Sequence, residues 1–122
     1  MNTINFSAEL VPVTFKRVRT NGKFRYNDPH YSEFKNALGY IAKAAMQDKT
    51  PLKGAVKLFA DVYQKYEPTA LKAGDWDNHA KAICDALNGI CYEDDRQIIE
   101  GHIRLFKGEP HINIFIEEIH HD

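Results

Sequence analysis

Two acidic pairs on either side of one short helical stretch constrain this chain more than any other feature of its sequence. Residues 74–97 open with Asp75 and Asp77, continue as an amphipathic segment, and close with the adjacent carboxylates Asp94 and Asp95. A helix of about ten residues is roughly 15 Å long, so the chain must turn back to bring the second pair beside the first. Carboxylates that converge within a few ångströms cost free energy unless a divalent cation neutralises them. The spacing therefore predicts a metal site.

The side chains between the two pairs separate onto two faces of the predicted helix. Asn78, Lys81 and Asp85 are three and four residues apart, so they share one polar face. Ile83 and Leu87 fall on the other face, where they can pack against a core. The pattern predicts that a lysine faces the same side as acidic residues.

Hydrophobic periodicity predicts four strands and two helices. The elements follow the order β-α-β-α-β-β, with strands at 3–11, 54–64, 97–106 and 111–119 and helices at 29–47 and within 74–97. A short turn after residue 106 predicts that the last two strands are antiparallel partners. This order is typical of an α+β fold with a mixed β-sheet and two helices packed on one face. A chain of 122 residues is expected to form a single domain, residues 1–122.

Several classes of protein do not fit the composition. No apolar run approaches the ~18 residues that a membrane helix needs, and the N-terminus lacks the pattern of a signal peptide, so we expect a cytoplasmic protein without a membrane partner. Cys84 and Cys91 form neither a disulfide framework nor a CxxC motif, and the six histidines show no zinc-ligand spacing. A calcium-binding loop starting at Asp75 is excluded, because Ala80 and Ala86 replace the required Gly and Glu.

The net charge of −1 argues against nucleic-acid binding, but the charge is unevenly distributed. Residues 1–72 hold 12 Lys and Arg against 6 Asp and Glu, a net +6, whereas residues 73–122 hold 4 against 11, a net −7. The basic half is therefore free to meet phosphates, while bound cations would offset the acidic half.

A basic segment, residues 16–26, interleaves cations with aromatic residues around the turn signal Asn21-Gly22. Such a mixture suits a nucleic-acid backbone with some base stacking. The cations that we predict to bind DNA are Lys16, Arg17, Arg19, Lys23 and Arg25. The alternative is a solvated hairpin, with DNA held instead by the first helix and second strand through Lys35, Lys43, Lys53 and Lys57.

Residues 74–98 resemble the RusA-like Holliday junction resolvases, a family of small phage- and prophage-associated crossover junction endodeoxyribonucleases. The matching motifs are D-x-D-N-x-x-K from Asp75, D-A-L-N-G from Asp85 and D-D-x-Q-I from Asp94. The resemblance implies a homodimer that binds four-way DNA junctions and makes paired symmetric nicks with Mg²⁺, for which Mn²⁺ can substitute.

The resemblance also implies roles for individual residues. The implied metal ligands, which are also catalytic, are Asp75, Asp77 and Asp95, with Asp94 either assisting them or orienting its neighbour. Lys81 matches an essential lysine, which would stabilise charge on the phosphoryl group, orient the attacking water, or hold carboxylates apart through an ion pair. Asn78 and Asp85 match motif positions whose implied role is either structural or the support of the metal ligands.

Two other functions remain open. Some family members carry a dense arginine run just before the first aspartate, where this chain has Leu71-Lys72-Ala73-Gly74. The chain could therefore be a structure-selective nuclease on flap or branched DNA generally. It could also be a non-cleaving DNA-binding accessory factor of a phage replication module, although the intact acidic motif argues against this.

A homodimer would need an apolar contact surface. Alternation in the second and last strands places Phe59, Tyr63 and Phe115 on the face opposite Leu58 and Ile114. Aromatic residues are unusual on a fully wet surface. We therefore predict that the dimer forms through the sheet face that the helices leave uncovered, or through the first helix.

Overall fold

The computed structural model describes residues 2–15 and 29–119. Its strands are β1 (Thr3–Ala8), β2 (Val56–Gln64), β3 (Ile98–Lys107) and β4 (His111–Glu118), and its α-helices are α1 (Pro29–Met46) and α2 (Trp76–Leu87). Two short 3₁₀ helices cover Leu71–Ala73 and Asp95–Gln97. The predicted α+β class and the order β-α-β-α-β-β are confirmed. Neither described α-helix is long and apolar enough to cross a lipid bilayer.

The four strands form one mixed sheet in the order β1-β4-β2-β3. Strand β4 is antiparallel to both β1 and β2, and β3 is parallel to β2. The prediction that β3 and β4 are antiparallel partners is wrong, because β2 lies between them. The connection through α2 returns the chain parallel to β2, and the next turn then passes over the end of β2. There the Gly108 N–H donates to the carbonyl oxygen of Gln64 at 2.8 Å.

One face of the sheet carries the core. Period-two alternation buries Ile112, Ile114 and Ile116 of β4, together with Leu58 and Val62 of β2. Helix α1 packs beside β1, and α2 packs beside β3. The helices therefore cover the same face, as predicted.

The buried stripe of α1 recurs every four residues. Its large members are Phe34, Leu38 and Met46, whereas Ile41 is only half-buried. Gly39 lies within this stripe, and a Cβ there would be 3.2 Å from the backbone oxygen of Ala86 in α2. The missing side chain therefore lets the two helices approach closely.

The opposite face of the sheet, called the open face below, carries two groups of three rings. Its ring-bearing residues are Phe59, Tyr63, His102, Phe106, His111 and Phe115. Neighbouring rings have centroids 4.2–5.9 Å apart. Within the described ranges no helix packs on these rings. The prediction that Phe59, Tyr63 and Phe115 lie opposite the helices is confirmed.

Candidate functional site

The first acidic pair lies at the start of α2. The helix begins at Trp76, so Asp75 is its N-cap residue and Asp77 lies in its first turn rather than before it. The Asp75 side chain makes no capping hydrogen bond, and both carboxylates are exposed. The helix dipole stabilises carboxylates at this end of a helix. Because both side chains are exposed and Asp75 makes no capping bond, their oxygens are available for a ligand.

The start of α2 is fixed to the sheet and to the preceding turn. The indole Nε1 of Trp76 donates to the carbonyl oxygen of Ile103 on the edge strand β3 at 2.6 Å. Gly74, directly before Asp75, has φ +82°, and a Cβ there would lie 2.5 Å from Thr14 Cγ2. Glycine is thus required at this turn by both conformation and space.

A buried histidine reinforces the same turn. His79 is 2% exposed, and its Nε2 lies 2.6 Å from the carbonyl oxygen of Ala73. Burial lowers the pKa of His79 below its usual range, so the ring is neutral near pH 7 and Nε2–H donates to that carbonyl. The six histidines lack zinc-ligand spacing, and that pattern gave no sign that His79 is buried. The hydrogen-bond partner of His79 lies six residues earlier in the chain.

The predicted lysine is held on the flank of α2. Lys81 Nζ lies 3.4 Å from the Asp85 carboxylate and 5.0 Å from the centroid of the Phe15 ring. The Tyr31 hydroxyl donates a hydrogen bond to Asp85 Oδ2 at 2.8 Å. Burial, together with the Asp85 charge, raises the pKa of Tyr31 above its ordinary value. Among the described ion pairs, Lys81 contacts only Asp85, so Asp85 orients the lysine, and its support of the metal ligands stays a prediction.

The chain on both sides of the basic segment contacts this same flank. The Phe15 N–H donates to the Asn78 carbonyl oxygen at 3.3 Å, and the Phe15 and Tyr31 rings meet edge to face at 5.5 Å. The five cations predicted to bind DNA lie outside the described residues. Phe15 and Tyr31 had no predicted role, because neither belongs to a local motif.

The second acidic pair opens the 3₁₀ helix Asp95–Gln97. The Asp94 carboxylate accepts the Arg96 N–H at 2.9 Å and lies 3.4 Å from the Arg96 guanidinium. The backbone hydrogen bond from Arg96, aided by the guanidinium charge, lowers the pKa of Asp94. Asp94 therefore caps the turn, whereas Asp95 is exposed. This geometry favours an orienting role for Asp94.

Gln97 holds this turn in place with three hydrogen bonds of 2.8 Å each. Its Oε1 accepts the Asp94 N–H, and its Nε2 donates to the carbonyl oxygens of Leu52 and Gly54. Gln97 belongs to the quoted D-D-x-Q motif, yet the sequence alone assigned it no role. Its spacing of three residues from Asp94 is that of a capping box, which is a signal that could have indicated its function.

The two acidic pairs belong to different elements, since Asp75 and Asp77 lie at the start of α2 and Asp95 opens the 3₁₀ helix that follows it. Burial, followed by the charges of Asp95 and Asp85, raises the pKa of Cys84 to about 11. Among the described residues, no three His, Cys, Asp or Glu side chains are grouped so that they could hold a metal ion. The expected convergence of Asp75, Asp77 and Asp95 is therefore not observed, and their role as ligands stays a prediction.

The donor chemistry nevertheless fits magnesium. Mg²⁺ is commonly held by one or two carboxylates, with water and substrate phosphates completing its octahedron. Asp75, Asp77 and Asp95 are exposed and form no ion pair with a described Lys or Arg. Carboxylate oxygens are therefore exposed at the start of α2, one turn from Lys81, and in the short helix Asp95–Gln97 that follows.

Comparison with known proteins gives two matches. The family model described as "Endodeoxyribonuclease RusA" matches residues 9–117. The chain is also 29% identical to the uncharacterized protein YqaN of Bacillus subtilis (strain 168), over 98% of this chain and 99% of that protein. The family match spans every described helix and strand except β1 and the last residue of β4.

Proposed function

We propose that this chain, which belongs to the RusA endodeoxyribonuclease family, resolves Holliday junctions by paired, symmetric, Mg²⁺-dependent cleavage of phosphodiester bonds. Family membership gives the nuclease class. The observation that carries the finer proposal is the first half of α2, where the exposed carboxylates of Asp75 and Asp77 precede a lysine paired with Asp85.

The acidic residues would hold the ion, and their own chemistry supports this. Asp75, Asp77 and Asp95 supply hard oxygen donors, which suit Mg²⁺ and also Mn²⁺. Asp94 already accepts hydrogen bonds from the turn that it caps, so it orients Asp95 more than it coordinates. When bound, the ion supplies Lewis-acid polarisation of a phosphoryl oxygen.

Lys81 would act on the phosphate directly. Its ammonium group is half-exposed and is oriented by Asp85 and by the Phe15 ring. A cation fixed before the reaction stabilises the charge that develops on a phosphoryl group in the transition state. The pairing with Asp85 favours this role over the alternative in which Lys81 separates the metal-binding carboxylates.

The basic segment would bring DNA to this flank. Phe15 precedes it, Tyr31 follows it, and both contact the side of α2 that carries Asn78, Lys81 and Asp85. Phosphates bound by Lys16, Arg17, Arg19, Lys23 and Arg25 would therefore be delivered beside the lysine. This placement supports the basic segment over Lys35, Lys43, Lys53 and Lys57 as the main DNA-binding surface.

A homodimer would supply the two active sites that paired nicks require, related by a two-fold axis. The open face is favoured over α1 as the contact surface, because it carries six rings in two groups of three. At its centre, the Arg104 guanidinium pairs with the Asp61 carboxylate through two hydrogen bonds of 2.7 and 2.8 Å. The pair satisfies both charges within one chain, which lowers the cost of covering this face with a second copy.

One observation favours the broader function on flaps or other branched DNA. The stretch before Asp75 contributes only Lys72 as a cation, and the neighbouring Leu71 is 99% exposed. Junction selectivity would then depend on the basic segment alone. Any of these DNA substrates would be met in the cytoplasm, the predicted location of the protein.

The Asp77→Asn variant tests the proposal. Cleavage of a synthetic four-way junction should be abolished, because a ligand oxygen loses its charge. Junction binding should be retained or slightly improved, because a negative charge beside phosphate is removed. Retained Mg²⁺-dependent cleavage by Asp77→Asn would contradict the proposed site.

A further inference from the structure

The loop of residues 52–54, between α1 and β2, forms hydrogen bonds with two polar side chains from distant parts of the chain. On one side, Gln97 Nε2 donates to the carbonyl oxygens of Leu52 and Gly54 at 2.8 Å. On the other side, Glu118 Oε2 accepts the backbone N–H groups of Lys53 at 3.2 Å and Gly54 at 3.0 Å. Four backbone polar groups of three consecutive residues are thus satisfied by two side chains.

Glu118 is a buried anchor of this arrangement. Its side chain is at the end of β4 and is 8% exposed, and its other oxygen, Oε1, accepts Asn2 Nδ2–H at 3.0 Å. Charge-assisted hydrogen bonds to a buried carboxylate are stronger than neutral ones. A Cβ at Gly54 would lie 3.3 Å from Glu118 Oε2, so the loop passes close against the carboxylate. Glu118 therefore fixes the 52–54 loop to the sheet.

Gln97 transmits this fixed position to the second acidic pair. Its Oε1 accepts the Asp94 N–H at 2.8 Å, so the amide bridges the 52–54 loop and the residue before Asp95. Asp95 lies in a 3₁₀ helix of only three residues, whereas Asp77 lies in a helix of twelve. A three-residue helix has few internal hydrogen bonds of its own, and its position depends on such external contacts.

We propose that Gln97 and Glu118 are positioning residues, which act through the 52–54 loop and Asp94 to hold Asp95 where it can bind a divalent cation. The inference rests on the proposed function. Removal of hydrogen-bonding partners behind metal ligands typically weakens metal affinity by 10–100-fold. Gln97 contacts the acidic turn directly and Glu118 only through the loop, so Gln97 should have the larger effect.

Mn²⁺ binding without DNA tests the proposal independently of catalysis. Free Mn²⁺ is measured by electron paramagnetic resonance during titration of the full chain and its Gln97→Leu, Glu118→Gln and Asp95→Asn variants. Gln97→Leu should raise the dissociation constant by about 10–100-fold and Glu118→Gln by a smaller factor. In cleavage assays the Mg²⁺ concentration at half-maximal rate should rise in parallel, with most of the rate recovered at saturating Mg²⁺.

Gln64→Leu is the matched control. Gln64 lies on β2, is 6% exposed, and its Nε2 has no hydrogen-bond partner in the part of the chain that the structure describes. This variant removes a buried glutamine amide elsewhere in the fold and should leave Mn²⁺ affinity unchanged. A loss of affinity in Gln64→Leu equal to that in Gln97→Leu would show a general structural effect and overturn the proposal.

The outcomes separate this inference from the proposed function. Weakened Mn²⁺ binding in Asp95→Asn with wild-type binding in folded Gln97→Leu would refute the positioning role alone. Wild-type binding and cleavage in Asp95→Asn would refute the assigned metal site itself. If Gln97→Leu fails to fold, the Glu118→Gln variant tests the positioning role instead. Unchanged Mn²⁺ affinity in Glu118→Gln would contradict the proposal that the 52–54 loop positions the acidic turn.

Discussion

Replacing Tyr31 with phenylalanine removes the hydroxyl that anchors Asp85, and with it the support of Lys81. The hydroxyl oxygen is 2.8 Å from Asp85 Oδ2, and the Asp85 side chain retains 24% of its exposure. Hydrogen bonds to charged groups contribute about 1.5–3 kcal/mol, and water can replace part of this one, so we expect a loss of about 1–1.5 kcal/mol. That loss corresponds to a fall in Tm of roughly 4–6 °C for a domain of this size.

The ion pair between Lys81 and Asp85 is too weak to orient the lysine alone. A solvent-exposed pair four residues apart on a helix contributes roughly 0.3–0.5 kcal/mol, and the Lys81 side chain is 49% exposed. The bond from Tyr31 is therefore the stronger constraint on Asp85. Loosening it should lower kcat for junction cleavage roughly tenfold, equivalent to about 1.4 kcal/mol, while DNA affinity stays near that of the wild type.

A double-mutant cycle measures the contact directly. Chemical denaturation of Tyr31→Phe, Asp85→Ala and the double variant should give a coupling free energy of about 1 kcal/mol. Tyr40→Phe is the matched control, because Tyr40 lies on the same helix and is 78% exposed. Additivity within ~0.3 kcal/mol, or a Tyr40→Phe effect as large as that of Tyr31→Phe, would refute the anchoring role.

The remaining predictions concern DNA binding, assembly and pH. Changing Arg17 and Arg19 to Ala should flatten the log–log salt dependence of junction binding by roughly two if each makes one phosphate contact, and an unchanged slope would assign DNA binding to other cations. Phe59→Glu on the open face should shift sedimentation from twice the 14.0 kDa chain mass to a single chain at micromolar concentration, and an undisturbed dimer would exclude this face. Burial lowers the pKa of His79 in the folded protein, so on acidification His79 is protonated in the unfolded chain before it is protonated in the folded one. The free energy of unfolding should therefore fall as the pH drops below about 6.5, by at most ~1.4 kcal/mol per pH unit. In denaturation experiments between pH 7 and 5.5, the free energy of unfolding of His79→Gln should not show this decrease. A pH dependence equal to that of the wild type would contradict the buried neutral ring.

Local patterns in the sequence predicted the elements of the fold but not all of their pairing. The alternation of residues in β4 shows that one of its faces is buried. The same alternation would appear whichever strand paired with β4, so it does not identify the partner. Strand β4 therefore appeared to pair with β3, its neighbour in sequence. The actual neighbour of β3 is β2, because the connection through α2 makes these two strands parallel.

The candidate site shows the same division between local and distant contacts. Asp75, Asp77, Lys81 and Asp95 were identified by motif spacing within one stretch of the chain. The partners that hold the site lie far away in sequence, since Tyr31 is 54 positions from Asp85 and Gln97 is 45 from Leu52. No spacing rule reaches that far, so only the folded chain identifies these contacts. Whether the acidic residues group together was likewise beyond the local pattern, because it depends on the path of the return loop, and the described residues contain no group of three.

The most direct test of the proposed activity is cleavage of four DNA substrates by the purified chain. A synthetic four-way junction, a flap, a Y-fork and a linear duplex are incubated with and without Mg²⁺, and the nicked strands are mapped. The proposed function predicts Mg²⁺-dependent nicks at symmetric positions in two opposite strands of the junction, with little cleavage of the duplex. Equal cleavage of the flap and the Y-fork, or single unpaired nicks in the junction, would contradict junction resolution and favour the broader nuclease.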